Sequence, residues 1–225
     1  MRIVTVIPAY NEGARVGAAV SDALQYSCAV VVVDDGSTDS SAIAAQAAGA
    51  LVIKHILNRG QGAALQTATD YALKYLNPDI IVHFDADGQM RGSDIEGLVA
   101  PIRRGEADIV LGSRFLGQTA ENMPGLRRWL LRAGVVFTAT LSGLRVTDAQ
   151  SGFRALSRQS AETIRITLDG MAHASEILDL IKVNTLRYTE QPVTICYSKD
   201  TLRKSPSNWR AIGIAKDLLK QKFVR

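Results

Sequence analysis

Apolar and polar positions follow two different periods along the first half of this 225-residue chain. Short apolar runs rich in β-branched residues predict buried strands, and longer segments with apolar residues three and four apart predict helices. The predicted strands are residues 2–7, 29–33, 51–55, 79–84 and 108–111. The predicted helices between them are residues 12–26, 40–49, 62–76 and 93–104. This alternation predicts an α/β fold with a mostly parallel sheet and helices on both faces.

The second half of the chain has a less regular pattern. The elements that it predicts are helices over residues 124–143, 174–183 and 205–222, a loop over residues 148–156 that leads into a short strand, and a strand over residues 187–197. We find no internal repeat, linker or low-complexity segment, and we therefore expect a single domain over residues 1–225.

Polar residues cluster where four of the predicted strands end. These clusters are residues 8–12, 34–39, 85–89 and 112–114. The carboxyl ends of parallel strands meet at one edge of a sheet, and ligands bind at that edge, so we expect the clusters to form one site. The first strand-to-helix turn is not G-x-G-x-x-G, and the chain has no G-x-x-x-x-G-K-[ST], which excludes a dinucleotide fingerprint and a P-loop.

Asp85 and Asp87 follow a predicted buried strand, and residues two apart on an extended chain point in the same direction. Two carboxylates aimed together repel each other unless a hard cation lies between them. Mg²⁺ or Mn²⁺, held by one or two carboxylates and by substrate phosphates, is the expected ligand. Gln89 adds a neutral oxygen. The alternative is a solvated β-turn, because D-x-D-G is also a good turn sequence.

Two further clusters offer groups that suit a nucleotide. Asp34 and Asp35 can accept hydrogen bonds from the N–H of a base or from a ribose hydroxyl, while Ser37 next to them can equally cap the following helix. Arg114 offers a bidentate fork to a diphosphate, and the alternative is a surface arginine at a strand end.

Charge is divided unevenly along the chain. Residues 1–112 hold 8 Lys/Arg and 13 Asp/Glu, a net charge of −5, and residues 113–225 hold 18 and 9, a net charge of +9. An acidic half suits a divalent cation and a basic half suits phosphates or an anionic surface, although scattered solvated charges would give the same totals. Cys28 and Cys196 have no C-x-x-C spacing, which excludes a zinc ribbon, a thioredoxin motif and a disulfide scaffold. No run approaches 18 apolar residues, so we expect no membrane-spanning helix.

Six motifs follow one another along the chain: VIPAYNE, VVDDGSTD, the glycine-rich run NRGQGAA at 58–64, DADGQ, GSRF and TDAQSGFRAL. They occur in the order seen in family 2 glycosyltransferases. A weaker match at 190–193, EQPV, is similar to the family's E-x-P-V strand. The chain therefore resembles this family, and within it the group of dolichol-phosphate mannose synthases and bacterial polyprenyl-phosphate glycosyltransferases.

The resemblance implies a GT-A fold, which is Rossmann-like, and a nucleoside-diphosphate sugar donor. It assigns residues 1–115 to the donor and metal, and residues 116–225 to a less regular, basic acceptor region. The donor-binding positions that it implies are Pro8, Tyr10, Glu12, Asp34, Asp35, Asp85 and Arg114. The implied metal positions, for Mg²⁺ or Mn²⁺, are Asp85, Asp87 and Gln89.

The family inverts configuration, which implies in-line attack at the anomeric carbon with loss of a nucleoside diphosphate. The candidate catalytic residues are Asp87, Arg114 and Asp148. Asp148 lies where many relatives have a base or an acid that contacts the acceptor, and the alternative for it is a turn carboxylate. A phosphate acceptor is already anionic at pH 7 and needs no base, whereas a sugar hydroxyl would need one.

The candidate acceptor-binding residues are Arg127, Arg128, Arg154, Lys204 and Ser205. The family's G-x-S-K element corresponds to Leu-Arg-Lys-Ser at 202–205, where the glycine is missing. Arg127 and Arg128 lie in a basic, apolar segment with Trp129, which is typical of a helix at a membrane interface. The alternative is a helix packed on the protein's own core with a basic outer edge.

We therefore expect an inverting, metal-dependent glycosyltransferase that moves a hexose from a nucleoside-diphosphate sugar to a polyprenyl phosphate. We expect it in the cytoplasm, peripheral at the inner face of an anionic membrane, with no nucleic-acid partner. Two alternatives remain open. One is a family 2 enzyme acting on a sugar hydroxyl of a glycan or glycolipid, and the other is a non-catalytic sugar-nucleotide-binding subunit that assists a separate membrane protein.

Overall fold

The computed structural model describes residues 1–116, 144–170 and 172–196. The strands are β1 (Ile3–Ala9), β2 (Ala29–Asp34), β3 (Leu51–Lys54), β4 (Ile80–His83), β5 (Ile109–Ser113), β6 (Arg154–Ser157) and β7 (Tyr188–Pro192). The helices are α1 (Val16–Leu24), α2 (Ser41–Ala47), α3 (Gln61–Tyr75), α4 (Asp94–Arg103), α5 (Arg158–Thr163) and α6 (His173–Val183). The predicted α/β class is confirmed.

The seven described strands form one sheet in the order β3-β2-β1-β4-β6-β5-β7. β6 runs antiparallel to both of its neighbours, and every other pair in this sheet is parallel. From β1 the chain builds outward through β2 and β3, and it then returns to place β4 on the other side of β1. The boundary between β1 and β4 is therefore a topological switch point, where ligands bind beside the carboxyl ends of the strands.

Two apolar cores cover the two faces of the sheet. One contains side chains of α1 and α4 with Phe84 and Phe153, and the other contains side chains of α3, α5 and α6. The central strands β1, β4 and most of β2 are buried on both faces, which explains why they appear in the sequence as continuous apolar runs. Packing on both faces fixes the strand ends that carry the polar clusters.

The structure differs from the sequence prediction at two elements. The strand predicted over 187–197 ends at Pro192, and beyond it Ile195 forms only an isolated bridge with Met90. Helix α5 was not predicted from the sequence. It has six residues, too few to show a helical pattern of apolar positions in the sequence. The hydroxyl of Ser157 caps its N-terminus by accepting a hydrogen bond from the backbone N–H of Ser160.

Within the described part of the chain, no helix combines the length and the apolar character needed to cross a bilayer.

Candidate active site

The aspartate pair predicted from the sequence lies directly after β4, beside the switch point. Phe84, which precedes Asp85, packs edge-on against Phe153 with ring centroids 5.3 Å apart, and this contact anchors the turn to the core. Oδ1 of Asp85 accepts a hydrogen bond from Nε2 of Gln61 at 3.0 Å. Oδ1 of Asp87 accepts one from the backbone N–H of Gln89 at 3.0 Å. The two carboxylates are thus held by β4, by α3 and by their own turn.

Electrostatics at this turn favours a bound cation. Burial and, after it, the charge of Asp87 raise the pKa of Asp85 to about 7, although Arg154, Arg114 and Gln61 oppose the shift. Burial also raises the pKa of Asp87. Two partly buried carboxylates that resist ionising together fit a hard divalent cation, which would compensate both charges.

The donor set suits such a cation when the substrate completes it. The described residues contain no group of three or more His, Cys, Asp or Glu side chains that could hold a metal by themselves. Asp85, Asp87 and Gln89 provide two carboxylates and one amide oxygen on a single turn. Mg²⁺ and Mn²⁺ commonly take one or two protein carboxylates and fill their other positions with phosphate oxygens and water, so this set fits them.

Gly152 lies against the carboxylate of Asp85. A Cβ added at Gly152 would lie 2.8 Å from Oδ2 and 3.0 Å from Oδ1 of Asp85, closer than side-chain contacts allow. The close approach explains the glycine in the S-G-F-R segment, a role that the sequence alone did not reveal.

We predict that Gly152→Ala weakens Mn²⁺ binding about tenfold while the fold is retained, because the added methyl group displaces the Asp85 carboxylate. Mn²⁺ titration and thermal unfolding measure the two effects. Gly97→Ala is the matched control: Gly97 lies in α4, an added Cβ there meets nothing within 4 Å, and alanine favours the helix. Equal metal affinity in the two variants would refute the role of Gly152.

Arg114 and Asp148, 34 residues apart, form a bidentate ion pair. Nε of Arg114 lies 2.6 Å from Oδ2 of Asp148, NH2 lies 2.7 Å from Oδ1, and the backbone N–H of Arg114 donates to Oδ2 at 3.1 Å. The Asp148 side chain is 1% exposed and that of Arg114 11%. Arg114 follows β5 and Asp148 precedes β6, so the pair lies at the same sheet edge as the aspartates. This geometry makes Asp148 a partner of Arg114.

The residues predicted for the nucleoside lie at the ends of β1 and β2. Pro8 is buried in β1, Tyr10 is exposed, and the backbone N–H of Glu12 donates to the hydroxyl of Ser41 at 2.8 Å. Asp34 is buried and accepts a hydrogen bond from the backbone N–H at residue 37.

Asp35 organises the glycine-rich loop that precedes α3. Its carboxylate accepts hydrogen bonds from the backbone N–H groups of Arg59 at 3.0 Å and Gly60 at 2.7 Å, and Nδ1 of His55 lies 2.6 Å away. Asp35 is 3% exposed. The contact of Asp35 with the nucleobase remains a prediction. Its hydrogen bonds within the protein give it a second role, which is to hold the glycine-rich loop in place. Sequence reasoning assigned nothing to His55, because its contact with Asp35 depends on the pairing of β2 with β3.

Arg154, predicted to contact the acceptor, lies in β6 opposite His83 and is 2% exposed. Burial lowers its pKa to about 10, against the attraction of Asp85 and Asp148, so it remains charged at neutral pH. Burial and the nearby guanidinium lower the pKa of His83 to about 3 and that of His173 to about 4, which leaves both neutral. The acceptor contact stays a prediction. The buried position of Arg154 fits a group that balances the negative charges of Asp85 and Asp148.

The other predicted acceptor residues lie outside the described residues. They are Arg127, Arg128, Lys204 and Ser205. Among the described residues, the structure places those predicted for the donor and the metal at one edge of the sheet, together with the Arg114–Asp148 pair.

The fold and the site define an α/β protein with two partly buried carboxylates, Asp85 and Asp87, at the switch point of its sheet. The family model for glycosyl transferase family 2 matches residues 4–165, and the chain belongs to this family. It is therefore a glycosyltransferase, and its relatives support the resemblance to polyprenyl-phosphate enzymes.

Two relatives and one solved structure illustrate the similarity. The UDP-N-acetylglucosamine–dolichyl-phosphate N-acetylglucosaminyltransferase of Methanococcus voltae is 31% identical, over 90% of this chain and 88% of that protein. The undecaprenyl-phosphate mannosyltransferase of Micrococcus luteus is 33% identical, over 76% of this chain and 72% of that protein. Glucosyl-3-phosphoglycerate synthase of Mycobacterium tuberculosis, solved with Mn²⁺ and UDP-glucose, superposes with a TM-score of 0.72 at 21% identity, over 97% of this chain and 76% of that one. The last likeness supports the GT-A fold.

Proposed function

We propose that this glycosyltransferase uses a divalent cation to move a sugar from a nucleoside-diphosphate sugar to a polyprenyl phosphate, with inversion at the anomeric carbon. The observation that carries the donor half of this proposal is the pair Asp85 and Asp87 at the switch point. The acceptor half is supported by the two relatives, whose names give dolichyl phosphate and undecaprenyl phosphate as acceptors.

Asp85, Asp87 and Gln89 would hold Mg²⁺ or Mn²⁺ together with the diphosphate of the donor. The cation, when bound, neutralises charge that develops on the departing diphosphate. Gln61 fixes the Asp85 carboxylate from α3, and the backbone N–H of Gln89 fixes that of Asp87. These contacts orient the ligands before the substrate arrives, which reduces the cost of reorganisation during the reaction.

Arg114 supplies a second positive charge for the diphosphate, and Asp148 sets the direction of its guanidinium. Both oxygens of Asp148 accept hydrogen bonds from Arg114. This contact supports an orienting role for a residue at a position where many relatives have a base or an acid that contacts the acceptor. An acceptor phosphate is anionic at pH 7 and attacks without loss of a proton. A phosphate acceptor is therefore the chemistry that this pairing suits best.

The experiment that tests the donor half is a panel of nucleoside-diphosphate sugars incubated with vesicles that contain polyprenyl phosphate. We expect one labelled sugar to enter the organic phase when Mg²⁺ or Mn²⁺ is present, and no label to enter it in excess chelator. Full transfer in chelator would contradict the metal-dependent function. Donor hydrolysis without transfer to the lipid would indicate a different acceptor.

The acceptor lipid requires the enzyme to reach a membrane surface, and we predict peripheral binding through the basic second half of the chain. Each Lys or Arg near an anionic leaflet contributes about 1 kcal/mol, screened over roughly 10 Å at 0.1 M salt. Binding to anionic vesicles should fall steeply with salt. Combined Arg127→Glu and Arg128→Glu substitutions should weaken it by about 30-fold or more, since about 1.4 kcal/mol is tenfold.

The matched control for vesicle binding is charge reversal of Arg103 and Arg104 to Glu, two exposed arginines at the end of α4 in the acidic half. It should change binding far less. Equal losses in the two double variants, or no binding of the native protein at low salt, would contradict the predicted surface.

A further inference from the structure

The carboxylate of Glu190 in β7 accepts hydrogen bonds from the segment that carries Asp148. Its Oε1 accepts hydrogen bonds from the backbone N–H of Thr147 at 2.9 Å, from the Thr147 hydroxyl at 2.9 Å and from the backbone N–H of Asp148 at 3.2 Å. Its Oε2 lies 2.9 Å from the same Thr147 N–H. Both carboxylate oxygens are therefore directed at residues 147–148, 42 and 43 positions earlier in the chain.

A second contact ties the same segment to β5. The hydroxyls of Ser113 and Thr147 lie 2.6 Å apart, and Ser113 is the residue before Arg114. β5 and β7 are parallel neighbours in the sheet, with Leu111 opposite Glu190. The sheet thus fixes the distance between Glu190 and the start of the Arg114 turn. Residues 147–148 bridge these two fixed points.

We propose that Glu190 is a positioning residue for sugar transfer, which clamps residues 147–148 so that Asp148 directs Arg114 at the diphosphate of the donor. The inference deepens the proposed function and rests on its donor half. Glu190 would act through two consecutive hydrogen-bonded links, the first from Glu190 to residues 147–148 and the second from Asp148 to Arg114. A fixed arginine loses less freedom when it meets the diphosphate, so its contribution to binding and to the transition state is larger.

Removal of the Glu190 carboxylate should loosen the Asp148–Arg114 pair and spare the nucleoside pocket at the ends of β1 and β2. The direct probe is binding of UDP, GDP, ADP, CDP and dTDP with Mn²⁺, compared with the matching nucleosides, by calorimetry. For the diphosphate that the native protein binds, Glu190→Ala should lower affinity about tenfold, and nucleoside affinity should stay unchanged. Glu190→Gln keeps the size and one accepting oxygen, so it should restore part of the loss and serves if the alanine variant does not fold.

Glu176 offers a control, because its carboxylate binds two consecutive residues with the same pattern of hydrogen bonds. Its carboxylate accepts hydrogen bonds from the backbone N–H and hydroxyl of Thr167 and from the backbone N–H of Leu168 at 3.0 Å. Glu176→Ala therefore removes a similar set of hydrogen bonds from a segment that does not carry Asp148. It should cost similar stability and a smaller share of diphosphate affinity.

A double-mutant cycle with Arg114→Ala separates positioning from a general loss of stability. The effects of two substitutions are not additive when the two residues act through the same series of hydrogen bonds. In the Arg114→Ala background, Glu190→Ala should cause little further loss of diphosphate affinity. Additive losses, or equal losses from Glu190→Ala and Glu176→Ala, would overturn the proposal. If the native protein binds none of these diphosphates, the donor half of the proposed function fails and the role of Glu190 fails with it. If it binds one and the Glu190 variants bind equally well, only the role of Glu190 fails.

Discussion

Asp87→Ala is expected to reduce sugar transfer by about 10³-fold or more while the protein remains folded. Asp87 is one of two carboxylates at the switch point, and its pKa is already raised by burial, so the folded chain holds it at a cost that a bound cation would relieve. Loss of a metal contact to the departing diphosphate costs several kcal/mol in the transition state, and each 1.36 kcal/mol is tenfold in rate. Initial rates at saturating donor and Mn²⁺ measure the effect.

The control for this substitution is Asp70→Ala, which removes an exposed carboxylate that pairs with Arg165 on the protein surface. Exposed ion pairs contribute about 0–1 kcal/mol, so this variant should fold and turn over like the native protein. Calorimetric titration with Mn²⁺ and the nucleoside diphosphate that the native protein binds should show weak metal binding for Asp87→Ala only. Near-native turnover of Asp87→Ala would contradict the assignment of the metal site.

Asp148→Asn is expected to lower both transfer and stability, because it replaces one acceptor of the Arg114 guanidinium with a donor. Breaking a buried ion pair costs about 3–5 kcal/mol of unfolding free energy, since the remaining charge stays without compensation. A misdirected Arg114 should reduce transfer about 10²-fold. Denaturant unfolding and steady-state kinetics measure the two losses. If Asp148 acted only as a general base, kcat would fall while the affinity for the nucleoside diphosphate stayed native.

The chain provides a close structural control for this pair at its surface. Asp108 accepts hydrogen bonds from the backbone N–H, Nε and NH2 of Arg187, at 2.9, 3.1 and 2.7 Å. The arrangement matches that of Asp148 and Arg114, but the Arg187 side chain is 60% exposed. Asp108→Asn should therefore cost less than about 1 kcal/mol and leave transfer unchanged. Equal stability losses in the two variants would contradict the importance of burial.

Much of the fold was predictable because its central strands are buried on both faces. The run of four valines in β2 can only be a buried strand or a buried helix segment, and the Asp-Asp-Gly that follows favours a strand with a turn. Helix α3 (Gln61–Tyr75) lies within one residue of the predicted range 62–76. The rule that ligands bind at the carboxyl ends of parallel strands then predicted the clustering of Asp85, Asp87 and Arg114.

Contacts made across long stretches of chain were not predictable from local patterns. β6 inserts antiparallel between β4 and β5, and nothing in its four residues indicates which strands it joins. The same holds for the clamp of Glu190 on residues 147–148 and for the approach of Gly152 to Asp85. Asp148 illustrates the consequence, because its place in the motif suggested a base or an acid that contacts the acceptor, whereas the structure shows it paired with Arg114.

The most direct test of the proposed reaction compares two acceptors that differ only in the phosphate. Native protein, Mn²⁺ and the labelled donor selected from the panel are incubated with vesicles that contain a polyprenyl phosphate or the corresponding polyprenol, at equal lipid charge. We predict that label enters the organic phase with the polyprenyl phosphate and stays at background with the polyprenol, because the anionic phosphate attacks without a general base. Equal labelling of both lipids, or labelling of a water-soluble glycan alone, would contradict transfer to a polyprenyl phosphate.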